Sequence, residues 1–61
     1  MYLILNIVTG NYLNVNGNFD EPQTFEMYRR FNDYDNALLA FCICAAFDNN
    51  PHEFEIVKYD R

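Results

Sequence analysis

An uninterrupted apolar run, Ala37–Phe47 (ALLAFCICAAF), is the feature that most constrains how this 61-residue chain can fold. The run contains four alanines and is longer than a typical strand, so it favours a helix over a buried strand. Asn32 can cap such a helix, and Asp33 and Asp35 place negative charge in its first turn, where the helix dipole favours it. The following Asp48-Asn49-Asn50-Pro51 supplies residues that end a helix.

The predicted helix carries apolar side chains on two opposite faces. At about 100° per residue, one stripe is suited to cover a sheet. It consists of Tyr34, Ala37, Leu38, Phe41, Cys44 and Ala45. The opposite side holds Leu39, Ile43, Ala46, Phe47 and Asn36. Leaving the three large side chains of this second set in water forgoes roughly 1.5–3 kcal/mol each relative to burial, so the sequence predicts an interface there.

Three arrangements can hide this second apolar set, and the sequence leaves all three open. The N-terminal hairpin or the Gly17–Gln23 loop can fold over it within one chain. Two copies can associate helix to helix across a twofold axis. The set can also dock on a different protein. In the second and third arrangements the protein functions through contact.

Four other segments alternate like β-strands: Met1–Val8, Tyr12–Asn16, Thr24–Phe31 and Glu53–Tyr59. The sequence predicts a turn at Thr9-Gly10-Asn11, where glycine supplies a positive φ, and a loop over Gly17–Pro22. The resulting order, β-β-β-α-β, predicts one α+β domain spanning residues 1–61. In it, an antiparallel sheet of three to four strands has one helix packed on one face. Within Tyr12–Asn16, we expect Leu13 and Val15 to point inward and Tyr12, Asn14 and Asn16 to face water.

The charge balance narrows the class of partner. Nine acidic residues against four basic ones give a formal charge of −5, which disfavours binding to nucleic acid or to an anionic membrane surface. We expect instead a protein partner with a basic or apolar surface, or a second copy in a homodimer. Four tyrosines are further candidates for an interface, because tyrosine gives a large contact area with a polar tip. They are Tyr2, Tyr12, Tyr28 and Tyr59.

Residue patterns that carry catalysis are missing from the sequence. It has no Ser/His/Asp set, no Gly-rich phosphate loop and no metal-ligand spacing, so we expect a protein that is not an enzyme and needs no cofactor or metal. Cys42 and Cys44 lie about 200° apart on a helix and cannot bridge. Free thiols suit a reducing cytoplasm. The apolar run is also much shorter than the roughly 20 residues that span a bilayer, so a soluble cytoplasmic protein is expected.

Three stretches together resemble a recurring layout: Phe25-Glu26-Met27, Phe31–Leu38 (FNDYDNAL) and Phe54–Val57 (FEIV). Strand, "D-x-A-L" helix and strand in this order are similar to very small host-inhibitor proteins of bacteriophages and mobile elements, of the RNA polymerase inhibitor or anti-CRISPR type. The resemblance covers about the last two-thirds of the chain. It implies a protein that inhibits or modulates a host protein by occupying its surface, and it assigns no role to any individual residue.

Overall fold

The structure, a computed structural model, describes residues 1–19, 24–48 and 51–59. It shows a three-stranded antiparallel sheet and one α-helix, the α+β layout that the sequence predicts. The predicted loop Gly17–Pro22 lies partly outside the described residues, and the helix-ending Asn49 and Asn50 lie wholly outside them.

The strands are arranged in the order β2-β1-β3, with β1 in the centre. β1 (Tyr2–Asn6) pairs antiparallel with β2 (Asn11–Tyr12) on one side and with β3 (Phe54–Lys58) on the other. β1 is shorter than predicted because Ile7 and Val8 belong to the turn and are exposed. The side chain of Asn6 accepts hydrogen bonds from the backbone N–H groups of Val8 and Thr9, which bends the chain immediately after the strand. Gly10 adopts the positive φ of 78° that this turn requires.

Asn14 is buried, which contradicts the prediction that it faces water. Its Oδ1 accepts hydrogen bonds from the backbone N–H groups of Asn16 and Asn18, and its Nδ2 donates to Asn18 Oδ1 over 2.7 Å. These bonds satisfy the buried amide within the loop that it organises. The inward orientation predicted for Leu13 is confirmed, whereas Val15 is exposed and that prediction is wrong.

The third strand predicted over Thr24–Phe31 is not formed. Phe25–Met27 is a short 3-10 helix, and the chain after it is extended. The backbone of this segment pairs with its neighbours through two isolated bridges, from Tyr28 to Asn14 and from Phe31 to Tyr2. The reason is that the edge of β1 is already occupied as far as Ile4, whose carbonyl accepts the Leu13 N–H, so only Tyr2 is left for pairing.

The helix α1 spans Tyr34–Asp48, close to the predicted bounds. Its cap is Asp33 rather than the predicted Asn32. Asp33 Oδ1 accepts the backbone N–H of Asn36 over 2.9 Å, and the Asp33 carbonyl accepts the N–H of Ala37. The helix lies on one face of the sheet, and the core between them consists of Ile4, Leu13, Phe31, Ala37 and Phe54.

Candidate functional site on the outer face of helix α1

Small residues set which side of α1 meets the sheet. Ala37 is completely buried, and Ala40, Phe41 and Cys44 pack against the core. Compared with the predicted stripe, the packed side is rotated by about 50° about the helix axis. Alanine at positions 37 and 40 allows the helix to approach the strands closely, and the rotation leaves Leu38 exposed.

All five residues predicted to form an interface are exposed on the outer side of α1. Exposure is 64% for Leu39, 66% for Ile43 and 88% for Phe47, values that belong to surface and not to core side chains. Ala46 and Asn36 lie on the same side and are also exposed. The N-terminal hairpin and the described part of the following loop, residues 17–19, leave the three large side chains in solvent.

This outer face, defined by Leu39, Ile43, Ala46, Phe47 and Asn36, is wide and uncharged. Its flank carries the exposed Leu38 and Cys42, and α1 has no charged residue between Asp35 and Asp48. The three large apolar side chains of this face present on the order of 400 Å² to water, a patch size that on small proteins is often functional. The arrangement suits contact with another apolar surface.

A cleft lies at each end of the outer face. The cleft at the N-terminal end has a volume of about 450 Å³ and is lined by Arg29, Arg30, Phe31, Asn32, Asp33, Asn36 and Leu39. The cleft at the C-terminal end has a volume of about 380 Å³ and is lined by Gly17, Asn18, Phe19, Ile43, Cys44 and Phe47. The lining of the first cleft is mostly polar and includes Arg29, whereas the guanidinium of Arg30 lies 5.1 Å from the ring centroid of Phe25. The lining of the second cleft is mostly apolar.

Two side chains of the N-terminal cleft are held in place by local contacts. The guanidinium of Arg29 lies 5.0 Å from the ring centroid of Phe31, within the range of a cation–π contact. Asn36 Nδ2 donates to Asp33 Oδ2 over 3.1 Å, so this amide also stabilises the helix cap. The sequence pattern gave no sign that Arg29 and Arg30 would lie beside the outer face, because they fall in the segment that was predicted to be a strand.

The tyrosines proposed as a second interface separate into two groups. Tyr12 lies 4.8 Å from Tyr28, and Phe25 lies 5.9 Å from Tyr28 and 5.2 Å from Tyr59, between ring centroids. This aromatic row crosses the sheet face opposite α1. Tyr2 instead packs edge-on against Tyr34 of the helix. Most of these rings are partly buried, so they serve as packing residues within the chain.

The described residues also bear on metal binding and catalysis. No three His, Cys, Asp or Glu side chains in this part of the chain lie close enough together to hold a metal ion. His52 is an exposed residue of the short 3-10 helix Pro51–Glu53, and neither Cys42 nor Cys44 forms a disulfide. Within the described ranges, no helix combines the length and apolar character needed to cross a membrane. Comparisons of the chain with known protein families, with curated proteins and with solved structures give no match.

Proposed function

We propose that this chain is a small acidic protein-binding module that contacts its partner through the outer face of α1. The observation that carries the proposal is the exposure of Leu39, Ile43 and Phe47 on one side of a helix whose other side already covers the sheet. A chain of this size has little stability to spare. Keeping three large apolar side chains in water is therefore costly unless a partner covers them.

In its narrower form, the proposal is a phage-type accessory protein that inhibits or modulates a host nucleic-acid-handling or defence protein by occupying its surface. The formal charge of −5 favours a partner with a basic surface, since opposite charges speed association. Asp33 and Asp35 are exposed beside the N-terminal end of the outer face, where they can meet basic side chains. Two cysteines that form no disulfide fit a protein that works in the reducing cytoplasm.

The second candidate is a homo-oligomeric structural or assembly protein without inhibitory activity. The uncharged outer face favours it, because two copies of an acidic chain can bring this face together without placing carboxylates in contact. The two candidates use the same surface and differ in the identity of the partner.

Capture from a bacterial lysate that also contains untagged copies of the chain tests the proposal. We expect the tagged wild-type protein to retain a protein in stoichiometric amount and the Ile43→Glu variant to lose it. Val8→Glu is the matched control, because Val8 is 72% exposed and lies in the turn after β1, away from α1. If no stoichiometric protein is retained, or if Ile43→Glu retains it as well as Val8→Glu does, the proposal is wrong.

A further inference from the structure

We infer that the occupant of the outer face is a second copy of this chain, with the two α1 helices packed antiparallel across a twofold axis at Ile43. The inference rests on the second candidate of the proposed function, the homo-oligomeric protein, and adds the orientation in which two copies meet. A twofold interface requires a surface that is complementary to itself, so that each contact occurs twice. Size, shape and charge of the outer face each meet this requirement.

The available area is sufficient for a weak specific dimer. Each protomer offers on the order of 400 Å² of apolar surface on the outer face, so a pair covers on the order of 800 Å² of it, within the size range of weak, transient interfaces. Ala46 lies between the larger side chains of the face and lets two helices approach closely. An association in the micromolar range or weaker follows from this small area.

The shape of the face favours the antiparallel orientation. Leu39 and Phe47 lie on opposite sides of Ile43, each four residues away and therefore about 6 Å along the helix axis. A twofold axis at Ile43 thus places the partner's Phe47 next to Leu39, which lines the N-terminal cleft. Phe47 is the most exposed large apolar side chain of the described residues, and in that cleft it would meet the side chain of Leu39 and the guanidinium of Arg29, which lies over the buried ring of Phe31. A parallel pair would instead place Phe47 against its own copy and leave both clefts unfilled.

The charges around the cleft favour the same orientation. Antiparallel packing brings the C-terminal end of the partner's helix, which carries about half a negative charge, towards Arg29. Asp33 also lines this cleft, but its carboxylate accepts hydrogen bonds from the backbone and side chain of Asn36 in its own helix cap. Parallel packing would place the negative ends of the two helices together.

Sedimentation equilibrium of the purified chain, over concentrations from low micromolar to millimolar, measures the association. We expect a reversible dimer of twice the 7.3 kDa chain mass. Ile43→Glu places two carboxylates on the twofold axis and should weaken the dimer by about 100-fold or more. Arg29→Glu should weaken it by about two- to five-fold, the size of a helix-dipole interaction. Val8→Glu should leave it unchanged, and circular dichroism verifies that each variant is folded.

A disulfide test reports whether residue 43 lies at the twofold axis without placing a charge in the interface. In a Cys42→Ser background, Ile43→Cys brings two thiols together on the proposed axis, and mild oxidation should yield a cross-linked dimer. Glu55→Cys in the same background is the control, because Glu55 is exposed on β3 and should remain monomeric.

Two results would overturn the inference. One is a chain that stays monomeric at millimolar concentration. The other is a dimer that survives Ile43→Glu and is not cross-linked by Ile43→Cys. If either result accompanied lysate capture of a different protein that Ile43→Glu abolished, the binding role of the outer face would stand and only the identity of the partner would be wrong. Absence of both the dimer and any captured protein would overturn the proposed function as well.

Discussion

Leu3 and Ile4 are adjacent in β1 and both are fully buried, although successive strand residues point to opposite faces of the sheet. Ile4 lies in the core beneath α1. Leu3 lies on the other face, as does Tyr59, which is two residues beyond Val57, the pairing partner of Leu3. The aromatic row covers that face. The protein is therefore built in three layers, with the helix on one side of the sheet and aromatic rings on the other.

We predict that Leu3→Ala and Ile4→Ala each lower the free energy of unfolding by about 2–5 kcal/mol, because each leaves a cavity in a packed layer. This is a large part of the roughly 3–9 kcal/mol expected for a chain of this length. Urea denaturation measures the change, with Val8→Ala as the exposed control that should stay within about 0.5 kcal/mol of wild type. A mild effect of Leu3→Ala would contradict the three-layer arrangement.

The aromatic row can be tested by the coupling between two of its rings. Phe25 and Tyr59 are far apart in sequence, and their centroids lie 5.2 Å apart. A double-mutant cycle of Phe25→Ala and Tyr59→Ala should give a coupling free energy of about 0.5–1.5 kcal/mol, the usual range for an aromatic pair. Strictly additive effects of the two substitutions would show that the rings do not pack together.

Two neighbouring residues, Asn32 and Asp33, should differ in how much they stabilise the N-terminus of α1. Asp33→Ala removes the acceptor for the Asn36 N–H and should cost about 1 kcal/mol of stability. Asn32→Ala should change the stability by no more than about 0.5 kcal/mol, because the residue is exposed and precedes the cap. Thermal denaturation of the two variants compares them directly. A larger loss for Asn32→Ala would support the cap that the sequence alone suggested.

The buried amide of Asn14 should be important for the loop that follows it. Asn14→Leu keeps the size of the side chain but removes the acceptor for the N–H groups of Asn16 and Asn18 and should destabilise the protein by about 1–3 kcal/mol. Hydrogen exchange of these two amides should accelerate beyond the effect of lower global stability. Asn16→Ala, at an exposed position, is the control that should leave the exchange of the Asn18 amide unchanged.

The helix and the closing strand were predictable because local signals agreed with the tertiary structure. Ala37–Phe47 has helix-forming alanines and lies between acidic residues and an Asn-Asn-Pro stop, and Phe54–Lys58 alternates as a strand should. The outer face was also predictable, since helical geometry alone places Leu39, Ile43 and Phe47 together. Their exposure could not be read from the sequence, because it depends on what the rest of the chain covers.

The sequence predictions were wrong where long-range contacts override the local alternation of apolar and polar residues. Phe25 and Met27 alternate with polar residues as in a strand, but the edge of β1 has a place for only one residue of that segment, Phe31. Asn14 appeared to be a solvent-facing residue, and its burial depends on hydrogen bonds to a loop whose conformation the alternation does not specify. The cleft with Arg29 exists because this segment turns away from the sheet beside α1.

Photo-crosslinking from single positions directly tests whether the outer face of α1 is the binding surface. A benzophenone side chain is placed in turn at Leu39, Ile43 and Phe47, and at the exposed apolar controls Val8 and Val15, in cells that produce the chain. We expect the three helix positions to give a discrete cross-linked protein, which is either a second copy or another chain. We expect no cross-linked protein from the two controls. Cross-linking that is absent from the helix positions, or equally strong from Val8 and Val15, would contradict the claim that the outer face of α1 is the binding surface.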